Sequence, residues 1–92
     1  MRPAVPLAAR AYINPRAGGL RNRDAQALPA AIAAGLARAG WRLEASRVDT
    51  RVGVSLDALL AEPAPDLLVV AAGDGTVRSA ARRLLGRGTA LA

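Results

Sequence analysis

A chain without cysteine or histidine has few ways to do chemistry. Disulfides, thiolate zinc sites, Ser-His and Cys-His nucleophile pairs and imidazole ligands are excluded. Carboxylates, hydroxyls, arginines and backbone groups remain. Among them the tetrad Gly73-Asp74-Gly75-Thr76 has the types and spacing of a phosphate site. Glycines flanking an acid let the backbone turn sharply and let another group approach it without meeting a Cβ. A helix started directly behind the turn would present unpaired N–H groups and a positive dipole end to an anion. Thr76 can cap that helix or contact the anion. Asp74 is not required by a plain phosphate cradle, because a carboxylate repels phosphate unless a metal ion or a proton in transit mediates. It is therefore the leading candidate for catalysis. The competing reading is an ordinary turn in which Asp74 bonds locally and initiates the helix, and four residues alone do not separate the two.

Two further turns carry polar groups of the same kind. Asn14-Pro15-Arg16-Ala17-Gly18-Gly19 follows an apolar run. Its Asn14 has both a donor and an acceptor, able to hold a nucleotide or to tie the turn to itself. Asp49-Thr50-Arg51 follows a stretch in which apolar and polar residues alternate.

The elements that must position these turns follow from hydrophobic period. Leu67 to Ala72 is a short unbroken apolar run with β-branched Val69 and Val70, the pattern of a strand covered on both faces. After the tetrad, Val77, Ala80, Ala81 and Leu84 fall on one helical face. Ala8 to Ile13 predicts a first strand, after a leader over residues 1–7 in which Pro3 and Pro6 oppose regular pairing and disorder is expected. Leu28, Ile32, Leu36 and Ala39 predict a helix closed by Gly40, with Pro29 in its first turn and the residues from Asn22 as an irregular lead-in. Trp41, Leu43 and Ala45 alternate with Arg42, Glu44 and Ser46, the period of a half-covered strand near an edge. Ser55 is placed to cap a short helix through Leu56, Leu59 and Leu60, stopped by Pro63 and Pro65. Gly86 and Gly88 end the last helix, and Thr89 to Ala92 resembles the start of a strand. The order strand-helix-strand-helix-strand-helix-strand predicts a parallel α/β sheet with helices on both faces. All three turns would then lie at the carboxyl ends of strands, where such sheets bind ligands.

Composition sets bounds. Ninety-two residues make at most one small domain, and with aromatics at 2% its core must be built from Ala, Leu and Val. The net charge of +6 comes wholly from arginine, which suits phosphate. A compositional bias with solvated arginines explains the same charge. No apolar run approaches the roughly 20 residues of a membrane span, and Met1 to Ala9 is too short and proline-rich for a signal peptide. A cytoplasmic location is the default expectation. Arg78, Arg82 and Arg83 cluster on the exposed side of the last helix, but with only Tyr12 and Trp41 as aromatics there is no base-stacking platform, and a nucleic-acid partner is not expected.

Asn14-Pro15-Arg16-Ala17-Gly18-Gly19, then Thr50, then Ala72-Gly73-Asp74-Gly75-Thr76 together resemble the N-terminal catalytic segment of the diacylglycerol kinase family of lipid kinases, related to sphingosine kinases and NAD kinases. The resemblance covers about Ala8 to Ala92. It implies a three-layer parallel α/β sheet, the N-terminal part of a phosphofructokinase- or NAD-kinase-like nucleotide-binding domain. It further implies that Asn14, Pro15, Gly18 and Thr50 line an ATP site, and that Gly73, Asp74, Gly75 and Thr76 lie under the ATP phosphates. Asp74 would stand near Mg2+, directly or through water. In sphingosine kinases the equivalent Asp has been viewed as the base on the lipid hydroxyl.

The implied activity is transfer of the ATP γ-phosphate to a lipid hydroxyl, at or near an anionic membrane surface. Ala72 stands where the family usually has Gly, which is tolerated if the backbone there keeps negative φ. Arg78 and Ser79 stand where Asn and Glu are common. The family continues through a Pro-x-Gly-Thr-x-Asn segment and a β-rich lipid-binding domain, so residues 8–92 are expected to be a truncated catalytic domain with little activity alone. Two alternatives are an NAD-kinase-like fragment, which shares the Gly-Asp-Gly-Thr motif, and a non-enzymatic basic module that binds nucleic acid or membrane.

Overall fold

A computed structural model describes residues 7–16 and 22–92, and it contains the alternating strands and helices that the periodicity predicts. In chain order they are β1 (Leu7–Ile13), α1 (Asn22–Arg38), β2 (Trp41–Val48), α2 (Val52–Leu59), β3 (Leu67–Ala71), α3 (Asp74–Leu84) and β4 (Ala90–Leu91). Residues 1–6 of the expected leader lie outside the described residues, while Leu7 already belongs to β1.

The strands form one sheet in the order β2-β1-β3-β4, with every pair parallel. Strand alternation sends side chains to two separate cores. Ala11 and Ile13 pack with Ala25, Leu28 and Ile32 of α1 on one face. Tyr12 and Leu68 pack with Leu56 and Leu59 of α2, the adjoining Leu60, and Ala80 and Leu84 of α3 on the other. The chain moves one way along the sheet from β1 to β2 and the opposite way afterwards, so right-handed crossovers must put α1 on one face and α2 and α3 on the other. This is the expected three-layer α/β architecture. With so few large side chains to fill it, the second core depends on Leu56 and Leu68, both fully buried; truncation of either to Ala removes about 2–5 kcal/mol.

Four local details differ from the periodic reading. Helix α1 starts at Asn22 and runs through Pro29. Proline cannot donate to the preceding turn, but Ala25, fully buried against β1, ties the segment ahead of Pro29 to the sheet and outweighs that lost bond. In β2 the register against β1 shifts between Ala9 and Arg10, so that Ala9 pairs with Leu43 and Arg10 with Ala45. Glu44 is thus an extra residue in a bulge, and the alternation reverses after it: Leu43 and Val48, not Leu43 and Ala45, join the core against α1.

Ser55 does not cap α2. It is a fully buried residue within the helix. In α3 the inward face is Thr76, Ala80 and Leu84, whereas Val77 is 37% exposed and Ala81 is exposed too. The two helix ends marked by Gly40 and Gly86 agree with expectation, since both adopt the left-handed backbone (φ 87° and 74°) that glycine permits at a C′ position.

Several arginines are structural ties. Arg10, facing α2 from β1, donates to the carbonyls of Leu59 (2.7 Å), Ala61 (3.1 Å) and Pro63 (2.6 Å) and pairs with the bulged Glu44 at 3.2 Å. It therefore satisfies carbonyls at the α2 C-terminus, where a cation also complements the dipole. Arg83, expected on the exposed side of the last helix, turns instead to Asp57 of α2 at 2.8 Å. Among the described residues no helix is long and apolar enough to cross a membrane.

Candidate functional site

The carboxyl ends of β2, β1 and β3 are stitched into one row by backbone bonds that continue the sheet. Asp49 N–H donates to the Ile13 carbonyl at 3.2 Å, and Asn14 N–H donates to the Ala71 carbonyl at 3.0 Å. The turns after these strands are therefore neighbours in the order Asp49-Thr50, Asn14-Pro15, Ala72-Gly73-Asp74. Between β1 and β3 the chain direction along the sheet reverses, which is where open parallel sheets form a ligand crevice.

At the end of β3 the motif is built differently from a free loop. Gly73 is the N-cap residue of α3, and Asp74, Gly75 and Thr76 are the helix's first turn. The early helix start is stabilised by Thr76 and Val77, whose N–H groups both donate to the Gly73 carbonyl at 3.1 Å. No side chain caps the helix, so Thr76 does not have the capping role open to it; it is turned inward and buried. The N–H groups of Gly73, Asp74 and Gly75 have no acceptor among the described residues. They form the positive end of the α3 dipole, a ready-made anion site.

The glycines have no internal purpose. Gly73 has φ −75° and ψ 172°, extended backbone that any residue adopts, and Gly75 has no positive φ either. The chain bends at Ala72 without the left-handed backbone that glycine would permit. A Cβ added to either glycine meets nothing within 4 Å. Among the described residues neither backbone freedom nor packing requires glycine at these positions, as is equally true of Gly35 and Gly88, and the open space leaves room for close approach from outside. Ala72 keeps negative φ, the condition for its replacing glycine.

Asp74 differs from the other described acids. Glu44 holds Arg10 and Arg42, Asp57 holds Arg83, Asp66 accepts the Ala8 N–H, Glu62 accepts the Ala64 N–H, and Asp49 accepts the Arg51 N–H and the Ser55 hydroxyl. Asp74 is exposed and has no hydrogen-bond or ion-pair partner among the described residues. A local Asx-type initiator would bond its own helix; this carboxylate does not. No three acidic side chains gather among the described residues. One carboxylate nonetheless suits Mg2+, which commonly takes one or two carboxylates and completes its shell with phosphate oxygens and water.

Asn14 is half-buried. Its Oδ1 accepts the Arg16 N–H at 2.9 Å, tying the turn to itself, while the Nδ2 amide has no acceptor among the described residues. Pro15 is half-buried beside it, and Thr50 is exposed at the end of β2. Gly18 lies outside the described residues. Arg16, Arg51 and Arg78 are exposed around this edge, without acidic partners among the described residues.

Sequence reasoning missed the supports of the row. Tyr12, fully buried, donates its hydroxyl to the Asp49 carbonyl at 2.7 Å. Burial, with the negative charge and hydrogen bond of Asp49, pushes the phenol up to about 12. Ser55 Oγ lies 2.6 and 2.9 Å from the two Asp49 carboxylate oxygens. The available signal was a lone phenol near the end of β1 and an Asp placed six residues before a Ser.

Among the described residues the candidate site is an open edge rather than a cavity. Three clefts of about 270–300 Å3 lie elsewhere: around Glu62 and Arg87, and between Arg10, Glu44 and Leu59. Each has at least one acid in its lining, so they offer less to a phosphate than the unbonded amides do.

Comparison with known proteins gives one clear result. The family model described as the diacylglycerol kinase catalytic domain matches residues 8–92. The curated proteins contain no match.

Proposed function

The chain belongs to the diacylglycerol kinase catalytic domain family, a family of kinases, and from that membership we propose that it is the ATP-binding portion of a lipid kinase. The family supports the reaction class, phosphoryl transfer; the substrate and the residue roles are this proposal's own. The observation that carries them is the combination at the start of α3: an exposed carboxylate beside N–H groups, neither with a bonding partner among the described residues.

In this reading the Gly73, Asp74 and Gly75 amides hold the nucleotide's phosphates, and the α3 dipole offsets their charge. Gly73 and Gly75 keep Cβ atoms out of the way. The Asn14 amide donates from β1, and Thr50 contacts the nucleotide from β2. Asp74 holds Mg2+ with the phosphates, directly or through water; the ion, when bound, neutralises charge on the transferring group. Among the described residues the edge has no second wall for a lipid acceptor, so in this reading the acceptor is met at a membrane surface and turnover by the 92 residues alone is weak.

Calorimetric titration of ATP with and without magnesium tests this on the parent chain, Asp74→Asn and Gly75→Val. The expected result is magnesium-dependent binding that each substitution weakens roughly 10-fold or more, as the loss of a charge-assisted contact does. Equal binding by all three chains contradicts the proposal.

A further inference from the structure

Two buried hydroxyls converge on the turn that ends β2. Tyr12 reaches it from β1, donating to the Asp49 carbonyl, and Ser55 reaches it from α2, bonding the Asp49 carboxylate. The same carboxylate accepts the Arg51 N–H at 2.9 Å, while the Asp49 N–H is fixed to Ile13. The exposed residue between these anchored positions is Thr50. A buried phenol is costly unless its hydroxyl is bonded, and an aliphatic residue fills a core equally well. The Tyr12 hydroxyl bonds the Asp49-Thr50 turn, at the carboxyl edge of the sheet, and so does that of Ser55.

Position along the row adds a direction. Neighbouring strands are about 4.8 Å apart, so the end of β2, two strands from β3, lies roughly 10 Å from the start of α3. A ligand whose phosphates sit on the α3 amides and which extends past Asn14 reaches Thr50 with its other end. We infer that Tyr12 and Ser55 are positioning residues, which act by presenting Thr50 to the nucleotide rather than by touching it. This inference rests on the nucleotide reading above.

The test compares Mg-ATP with inorganic triphosphate, which has phosphates and no sugar or base. Calorimetry is run on the parent, Tyr12→Phe, Ser55→Ala, Thr50→Val and the double variant Tyr12→Phe/Thr50→Val, each checked for folding by circular dichroism. Each single change is expected to weaken ATP roughly 3- to 10-fold and to leave triphosphate within about twofold. The double variant is expected to bind ATP no more weakly than Thr50→Val, because Tyr12 acts through Thr50. A merely structural Tyr12 or Ser55 would lower both ligands together, and that result, or additive losses in the double variant, or no loss, overturns the inference while the nucleotide reading stands. A parent that binds neither ligand overturns both.

Discussion

The backbone N–H of Asn14 lies 3.0 Å from the carbonyl oxygen of Ala71, so the turn after β1 and the motif after β3 are joined by one hydrogen bond. Residues some sixty positions apart in sequence thereby share one edge, and the crevice between them is set by the sheet rather than by a flexible loop. The bond continues the β1–β3 ladder in which Ile13 pairs with Ala71. Placement of the candidate groups thus depends on the same apolar alternation that builds the core.

Gly73 and Gly75 separate function from folding. With no positive φ and open space where a Cβ would stand, Gly75→Ala should leave thermal stability unchanged or raise it by about 0.5–1 kcal/mol. The same change should weaken Mg-ATP binding. Denaturant melts and calorimetry on one preparation check both halves.

Asp74 and Asp49 should behave in opposite ways. Asp74→Asn removes an exposed carboxylate with no described partner, so chemical denaturation should change by less than about 0.5 kcal/mol while Mg-ATP binding should weaken roughly 10-fold or more. Asp49→Ala leaves the Ser55 hydroxyl without its acceptor and should cost about 1–3 kcal/mol.

Pro29 interrupts the bonding of α1. Pro29→Ala restores a donor in the helix interior and should stabilise the fold by about 1–3 kcal/mol, read as a higher denaturant midpoint with an unchanged slope. A lower midpoint would mean that the proline ring is needed for packing against the sheet.

Tyr12 should make the fold sensitive to alkali. Its phenol is raised from 10.0 to about 12, first by burial and then by Asp49. The folded state therefore retains the proton more tightly than the unfolded state. The resulting contribution is fully present below about pH 10 and is lost as pH rises from about 10 through 12, a total of about 2–3 kcal/mol. Tyr12→Phe should flatten that part of the stability profile; an unchanged profile would place the titrating group elsewhere.

Most of the scaffold was legible because Leu67–Ala71 is apolar on both faces, and only a strand between two helical layers needs that. Gly40 and Gly86 marked helix ends for the same reason that they adopt positive φ there. What period alone could not reveal were effects of tertiary anchoring. Ala25 in the core carries α1 through a proline, and a bulge at Glu44, bonded by Arg10, reverses the faces of β2. At the site, Asp74 was visible as an acid between glycines. That α3 starts at Asp74 itself was not, since Asp and Gly are weak helix formers and the Gly73 carbonyl determines the start. The Tyr12 and Ser55 bonds to Asp49 join three elements and leave no periodic trace.

The central claim is that the first amides of α3 receive a nucleotide's phosphates. Amide NMR of the 15N-labelled chain during a Mg-ATP titration tests it directly. The largest shifts are expected at the N–H groups of Gly73, Asp74 and Gly75, with smaller ones at Asn14 and Thr50. Shifts confined to the opposite clefts around Glu62 and Arg87, or none at saturating Mg-ATP, would contradict it.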